Sequence, residues 1–594
     1  MSLRRVSWLA VVALAALICI SCGQVYRPVV LPVSTTPPSP ANFHEVFTVN
    51  GNIAYNQGTA MQVDVSGDSD IGAGNMGVNP THGAILPSNA RVFVASAGSV
   101  NQGDADVVTA FTPTFDNSTQ TGFSTITTFT LPNYGAGQSA SISNISEASN
   151  STLVTVTLTS TLLNAQVGGT IVISGVSIPA YNGSFPMTSV SGTTIQYMAP
   201  FTGLAAATTG TATEPLPVFC SYLPDFVATG QNTSMYVANY GAENGPNCNL
   251  SPNSTDSVAQ LSTSLNSIIN IVNLPAGSHP VAMAATTDGQ NLYVLTQTNN
   301  LVTDLSPIDL STRATIPVGK TPTWATLRVD NQRLYVVTEG DGQLYTINTG
   351  TNAVVPGSPQ AVGVGANFVL FDKSRNRLYV TNPNAGVVYV FDATVDPPSL
   401  LQTVNVPLPP TCADAGVICS GVMPTGVAAL ADGSRFYVAS YATGSIGSAP
   451  ATCPDPTVSV PGCIIPQVTV YDAALFSVKT TIFPVLATTY ATPIIGFALA
   501  PTAFCTPAYP YTPANSRFRM FAAASVDGSK VYASLCDGGS VAVVNTTTST
   551  VGATSNNSGD TLVLDLPTPF SATPAPTATG NPPTQNPIFM FTGQ

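Results

Sequence analysis

The chain has 594 residues, 16 Lys and Arg against 29 Asp and Glu for a formal charge of −13, and a charged fraction of 8%, far below the roughly 25% of ordinary soluble domains. With so few cations and no run of them, the phosphate-tracking surface that nucleic acid requires is excluded, so DNA and RNA are not expected partners. An apolar fraction of 44% is enough to bury a core, while 48 Gly and 49 Pro point to short elements joined by many turns rather than to global disorder.

At the start, Arg4 and Arg5 precede an apolar run from Val6 to Ile20, too short for a bilayer-spanning helix of about 20 residues and built like the core of an export signal. The run ends in Cys19-Ile-Ser-Cys22-Gly23, which resembles the lipobox of bacterial lipoproteins, with Cys19 where Leu is usual. An ordinary secretory signal cleaved nearby is the alternative. The resemblance implies that residues 1–21 are a lipoprotein signal peptide, that Cys22 is lipidated, and, through Gly23, that the chain passes to the outer membrane. Several acyl chains on one residue anchor far more firmly than one. The Pro-rich stretch from Pro28 to Pro40 makes residues 22–57 a tether.

Beyond the tether a short phrase recurs, an aromatic after an apolar or basic residue and then Val or Ala. Its copies are Arg91-Val-Phe-Val-Ala, Met235-Tyr-Val-Ala-Asn, Leu292-Tyr-Val-Leu-Thr, Leu334-Tyr-Val-Val-Thr, Leu378-Tyr-Val-Thr-Asn, Phe436-Tyr-Val-Ala-Ser and Val531-Tyr-Ala-Ser-Leu. A spacing of roughly 40 to 45 residues between β-rich units is what a propeller of four-stranded blades leaves in sequence. Within a unit the strands are legible by alternation: Phe368-Val-Leu-Phe, a turn from Asp372 to Asn376, Leu378-Tyr-Val-Thr-Asn382, Gly386, then Val388-Tyr-Val-Phe-Asp392. Tyr379-Val-Thr-Asn382 spells the YVTN signature, and the units around it resemble YVTN-type β-propeller repeats, a family that includes lactonase-like propellers and surface-layer and adhesive proteins. Seven copies imply an all-β, seven-bladed propeller, with residues 58–137 holding the closing strand and first blade and 215–566 the remaining blades. Met61-Gln-Val-Asp-Val to Pro80 reads as outer strand material for the blade running from Val531 to Val551.

The first two copies are spaced 144 residues apart, from Arg91 to Met235, roughly 100 more than a blade needs. Strand-like segments at Leu153, Val167 to Val176, Tyr181 to Phe185 and Thr194 to Tyr197 make residues 138–214 a small inserted, sandwich-like β domain. Residues 567–594 form a Pro-rich C-terminal tail, and its Ile588-Phe-Met-Phe-Thr-Gly end is either a closing strand or loose.

Of ten Cys, Cys19 leaves with the signal and Cys22 is the lipidation residue, leaving Cys220, Cys248, Cys412, Cys419, Cys453, Cys463, Cys505 and Cys536. An even set in an exported chain reads as disulfides, and ease of local closure pairs them in order as four neighbours. His44, His82 and His279 do not stand at metal-ligand spacing near any Cys, so neither metal nor cofactor is expected. Asp64, Asp68 and Asp70 around Gly67 offer carboxylates for Ca²⁺, though not in EF-hand order. Asp288, Asp330, Asp372, Asp432 and Asp527 precede the signature, and Asp309, Asp392 and Asp472 follow the third strand; both sets fit turn chemistry. His82 after Pro80 and His279 before Pro280 stand where an innermost strand begins, facing the channel or packed beside it. Gly319-Lys320-Thr321 matches the end of a phosphate loop by chance, since no helix pattern follows.

Three functions follow. The first is a non-enzymatic binding or structural propeller of the cell envelope, held to the membrane by its anchor and meeting envelope protein or polysaccharide. The second is a lactonase-like hydrolase at the channel, for which Glu339, Asp341 and Arg328 of a single blade are the nearest candidates. The third is a periplasmic redox propeller, for which three His are too few to build a multi-His copper site.

Overall fold

The computed structural model describes residues 44–593 except 52–56, 99–106, 114–122, 132–138, 149–150, 163–164, 166, 168–169, 200–201, 215–221, 242–254, 414–416, 447–462, 485–498, 500–504, 506–517, 548–558 and 570–584. Runs of Val, Tyr, Phe and Thr broken by Asp, Asn and Gly fold as antiparallel strands. Among the described residues these make eight sheets of four or five strands and one closed six-stranded barrel. Blades are numbered I–VIII along the chain and their strands A–D from the axis outward.

The innermost strands are Asn586–Thr592 (I), Pro80–Ile85 (II), Pro224–Gln231 (III), Pro280–Ala285 (IV), Pro322–Leu327 (V), Phe368–Asp372 (VI), Met423–Ala429 (VII) and Ala522–Ala524 (VIII). Each contacts the next, and the cycle closes where strand A of blade VIII meets that of blade I and blade I meets blade II. The expected seven blades are therefore eight. The additional one is blade I, in which Glu45–Gly51, Gln57–Asp64 and Ser69–Val78 supply strands B, C and D and the C-terminal Asn586–Thr592 supplies strand A. Pairing Phe47 with Phe591 and Val49 with Phe589 joins the two ends of the chain in one sheet and removes an open edge.

Three expectations change with it. Met61 and its neighbours lie in blade I, while the outer strand of blade VIII is its own Thr561–Pro567. Residues 45–51, placed in the tether by sequence, are a fully buried strand. The end of the Pro-rich tail is the innermost strand of a blade.

The segment from Ser139 to Thr213 folds as a barrel, not a sandwich. The short strand Thr211–Thr213 pairs with both Ser139–Glu147 and Thr170–Ser174 and so closes the sheet on itself. Its core, including Ile145, Val156, Ile173, Tyr181 and Tyr197, is separate from the propeller core.

The signature owes its residues to the seams between blades. Its aromatic is buried, and in four blades its hydroxyl reaches the next blade's C–D turn: Tyr236 to the Pro307 carbonyl at 2.9 Å, Tyr293 to Asn352 at 2.8 Å, Tyr437 to Asp560 at 2.5 Å and Tyr532 to Asp68 at 3.4 Å. The residue opening strand B makes a second tie wherever it is basic. Arg91 donates to Asn266, Arg333 to Asp396, Arg377 to the Ala473 carbonyl, Arg435 to Asp560 and Lys530 to Asp68. Five of the scarce cations are thus spent on holding neighbouring blades together.

Burial pushes these phenols up, Tyr335 to about 12 and Tyr293, Tyr379, Tyr437 and Tyr532 higher still. A raised folded value means that the stabilisation is complete below the unfolded phenol's pKa of about 10 and is lost as pH rises through the folded values. In an alkaline titration the signature tyrosinates are expected to appear only together with loss of near-UV circular dichroism. Their ionisation near pH 10 with native dichroism retained would refute this packing.

Two disulfides are described, Cys412–Cys419 and Cys505–Cys536, and Cys463 is also disulfide-bonded. Cys22, Cys220, Cys248 and Cys453 lie outside the described residues. Such bonds belong to an oxidising compartment, and the chain is an exported, non-cytoplasmic protein. No helix among the described residues is long and apolar enough to cross a membrane. The separations are 31 residues for Cys505–Cys536 and 7 for Cys412–Cys419, so loop-closure entropy predicts costs of about 3.5–4 and about 2–2.5 kcal/mol for their respective Ser replacements. Urea midpoints in the reverse order would contradict that ranking.

Candidate functional site

Six of the eight innermost strands contain Pro at or near their first position: Pro80, Pro224, Pro280, Pro322, Pro424 and Pro587. Proline is tolerated at a strand start because it has no N–H to contribute to the ladder. In four blades the residue before it takes a left-handed φ, at Asn79 (52°), Leu223 (48°), His279 (50°) and Thr321 (56°). This tight entry aims the residue two after the Pro at the axis.

Eight residues occupy that one register position. Phe589 lies opposite Val49, His82 opposite Ala95, Phe226 opposite Ala238, Ala282 opposite Leu295, Trp324 opposite Val337, Phe368 opposite Thr381 and Gly426 opposite Ala439, while the Phe521 carbonyl accepts the Ser534 N–H and the Phe521 N–H donates to the Ser534 hydroxyl. The rings meet across the centre. His82 stacks on Phe226 at 3.7 Å and lies 4.2 Å from Phe589, and Trp324 is 5.5 Å from Phe226, 5.2 Å from Phe368 and 6.2 Å from Phe589. Phe518, arriving ahead of strand A of blade VIII, fills the remaining space 5.5 Å from Trp324 and 4.9 Å from Phe521. Gly426 gives Phe521 room, since a Cβ there would stand 3.2 Å from the Ala522 amide nitrogen and 3.3 Å from Phe521, tighter than ordinary contact. Every ring of the layer is at most 9% exposed. The axis is sealed, and edge-to-face contacts of this kind contribute about 0.5–1.5 kcal/mol each beyond burial.

His82 faces the axis and is packed there, its Nδ1 accepting the Val227 N–H at 3.5 Å. His279 does not reach the axis. Its N–H donates to Asp256 at 2.8 Å, its Nδ1 lies 2.8 Å from the Tyr240 carbonyl, and its ring stacks on Tyr240 at 4.2 Å. It pins blade III to blade IV.

The candidate hydrolytic residues do not converge. Glu339 and Asp341 lie in the B–C turn of blade V, and Arg328 lies in its A–B turn, with strand Arg333–Thr338 between them. Six residues of strand span about 20 Å, so the carboxylates and the guanidinium sit on opposite faces of the ring. Asp341 accepts the Thr338 hydroxyl at 2.5 Å, and Arg328 is paired with Asp330 at 2.8 Å.

The recurrent Asp residues form turns, each accepting the N–H two residues on: Asp288 from Gln290, Asp330 from Gln332, Asp372 from Ser374, Asp432 from Ser434 and Asp527 from Ser529. Asp309, Asp392 and Asp472 do the same after strand C. Hydroxyl donors from Ser306 and Ser311 hold Asp309 down to about 2, and the Leu475 and Ala474 amides likewise lower Asp472. Asp64 accepts from Ser66, Asp68 from Lys530 at 2.7 Å and Asp70 from Gly72, so each carboxylate of the possible calcium set is engaged within the protein. No cluster of metal-ligating side chains occurs among the described residues.

Among the described residues a surface groove is open to a ligand. The groove, of about 510 Å³, runs between the outer strands of blades II and III, lined by Phe129, Ile268 and Ile271 with Thr128, Thr130 and Asn270. Sequence reasoning did not anticipate the groove, which depends on how neighbouring edges diverge. It also missed the axial layer, although the Pro-x-aromatic spacing at Pro80, Pro224, Pro322 and Pro587 carries the signal.

No family model and no curated protein matches the chain. Among solved structures it is similar to the dihydro-heme d1 dehydrogenase NirN in complex with DHE, at 11% identity over 94% of this chain and 77% of that one, with a TM-score of 0.42. It is similar also to the periplasmic gluconolactonase PpgL of Pseudomonas aeruginosa, at 14% identity over 61% and 97% of the two chains with a TM-score of 0.30. A third is the β-propeller domain of a Myceliophteria thermophila protein, at 8% identity over 79% and 97% with a TM-score of 0.36. Similarity at this level assigns neither ligand nor reaction, and the propeller fold rests on the strand order itself.

Proposed function

We propose that this chain is a YVTN-type propeller, anchored to the outer membrane of a bacterial envelope through acylated Cys22, that serves as a non-enzymatic binding scaffold for envelope protein or polysaccharide. One observation carries the non-enzymatic reading. The axis, where a propeller hydrolase would gather its groups, is filled by Phe589, His82, Phe226, Trp324, Phe368 and Phe521, while Glu339 and Arg328 lie on opposite faces. The anchor reading is supported by the motif ending at Cys22 and by the disulfides of an exported protein. Polar, nearly uncharged turns around a rigid ring suit contact with another envelope component.

The test uses full-length chain purified from membranes, with a Cys22→Ser counterpart. Acyl mass on the peptide beginning at Cys22, absent from the variant, together with no turnover of lactones above the uncatalysed rate, is expected. Turnover that falls in Glu339→Gln or Arg328→Ala would establish the hydrolase instead.

A further inference from the structure

We infer that the ring lies against the lipid surface through one particular face, that of its A–B and C–D turns, using an arc of apolar side chains on five consecutive blades; the inference rests on the Cys22 anchor proposed above. The side chains are Leu265 of blade III (71% exposed), Ile308 of blade IV (82%), Val329 of blade V (65%), Val395 of blade VI (46%) and Leu475 of blade VII (74%). Four of them occupy one structural position, three residues past the end of strand C, after Ser262, Leu305, Asp392 and Asp472. Val329, in the A–B turn of blade V, stands in on the one blade of the five whose C–D turn carries Thr351 instead. Single exposed apolar residues are ordinary on any protein, but one on each of five successive blades, all at the same end of the strands, is a distributed contact surface.

The chain's own path points the same way. Strand B of blade I begins at Glu45, which is paired with Asp64 at the start of the C–D turn, so the chain enters the ring from this face. Cys22 lies 22 residues before His44. Even as extended Pro-rich sequence at about 3.1 Å per residue, that connection spans only about 70 Å, so the anchor lies within that distance of the face from which the chain departs. The opposite face also exposes apolar side chains, Val364, Leu408 and Ile418. Among the described residues those three all lie beside blade VI.

The charged groups beside these side chains are turned inward. The carboxylates next to these side chains turn back on their own loops, Asp309 to Ser311, Asp392 to Thr394 and Asp472 to Ala474, leaving the apolar groups outermost. Arg91, Arg333, Arg377, Arg435 and Lys530 open strand B on this same face and are paired with the next blade's turns, so charges of both signs are engaged within the ring and the outermost apolar groups fit a neutral phospholipid surface.

The experiment places acylated full-length protein on phosphatidylcholine vesicles that contain a lipid-borne fluorescence quencher. Of two Trp in the sequence, Trp8 leaves with the signal and Trp324 is buried in the axis, so an introduced Trp reports its own position. Ile308→Trp and Leu475→Trp are expected to lose most of the added emission, while Asn299→Trp, in the B–C turn of the opposite face, keeps it. Equal loss at Asn299→Trp, or no loss at any position in protein that floats with the vesicles, would overturn the inference and leave the anchor standing. Protein that fails to float and carries no acyl group on Cys22 would remove the anchor and the inference together.

Discussion

Trp324→Ala is expected to lower the unfolding free energy by about 3–5 kcal/mol, the range for emptying a fully packed aromatic site. Trp324 is the one side chain in the axial layer that touches rings from blades I, II, III, VI and VIII, through Phe589, His82, Phe226, Phe368 and Phe518. Its removal opens a hole that the surrounding backbone cannot close, because each neighbouring ring is fixed to a separate blade and the blades are tied at their outer seams. The loss should appear as a lower urea midpoint with an unchanged m-value, followed by far-UV circular dichroism. A change below about 1 kcal/mol would mean that the axis is loosely filled or wet, and the argument against a reactive channel would fall with it.

Deleting residues 585–594 is expected to abolish cooperative folding. Strand B of blade I, Glu45–Gly51, has all seven residues buried and would lose its inner partner along its whole length. The deletion also removes Ile588, Phe589 and Met590, each at most 6% exposed. At about 1.5–3 kcal/mol for each apolar side chain buried, these three alone approach the 5–15 kcal/mol that holds a typical protein together. The exposed edge then invites association with other chains. A truncated protein that stays monomeric and melts within a few degrees of the full chain would show that the ring closes some other way.

The features that were legible in the sequence are those whose cause is local. Tyr236, Tyr293, Tyr437 and Tyr532 recur because a buried ring at the seam carries a hydroxyl for the next blade, and Arg333, Arg377, Arg435 and Lys530 recur at the start of strand B because they tie to the next blade as well. Asp330 and Asp432 announce their turns because an Asx turn needs only the N–H two residues on. Blade I escaped because its strand B, Glu45-Val-Phe-Thr-Val-Asn50, has an acid where five other blades have a base and Thr48 after its aromatic where every copy of the signature has Val or Ala. Its partner strand lies at the other end of the chain, a pairing that no local pattern reveals. The barrel was mistaken for a sandwich because strand alternation is the same in both, and the difference is a single short strand, Thr211–Thr213, that pairs on two sides. Glu339, Asp341 and Arg328 looked like neighbours because turns at opposite ends of one strand are close in sequence.

The same pairing decides whether eight blades close into a sealed ring, and native-state hydrogen exchange reads it directly. Amides of residues 586–592 should exchange as slowly as those of Arg377–Asn382 in the middle of blade VI, because both belong to the cooperatively folded core. Exchange of residues 586–592 at the rate of an unstructured tail, with blade VI still protected, would contradict the closure, the eighth blade and the sealed axis at once.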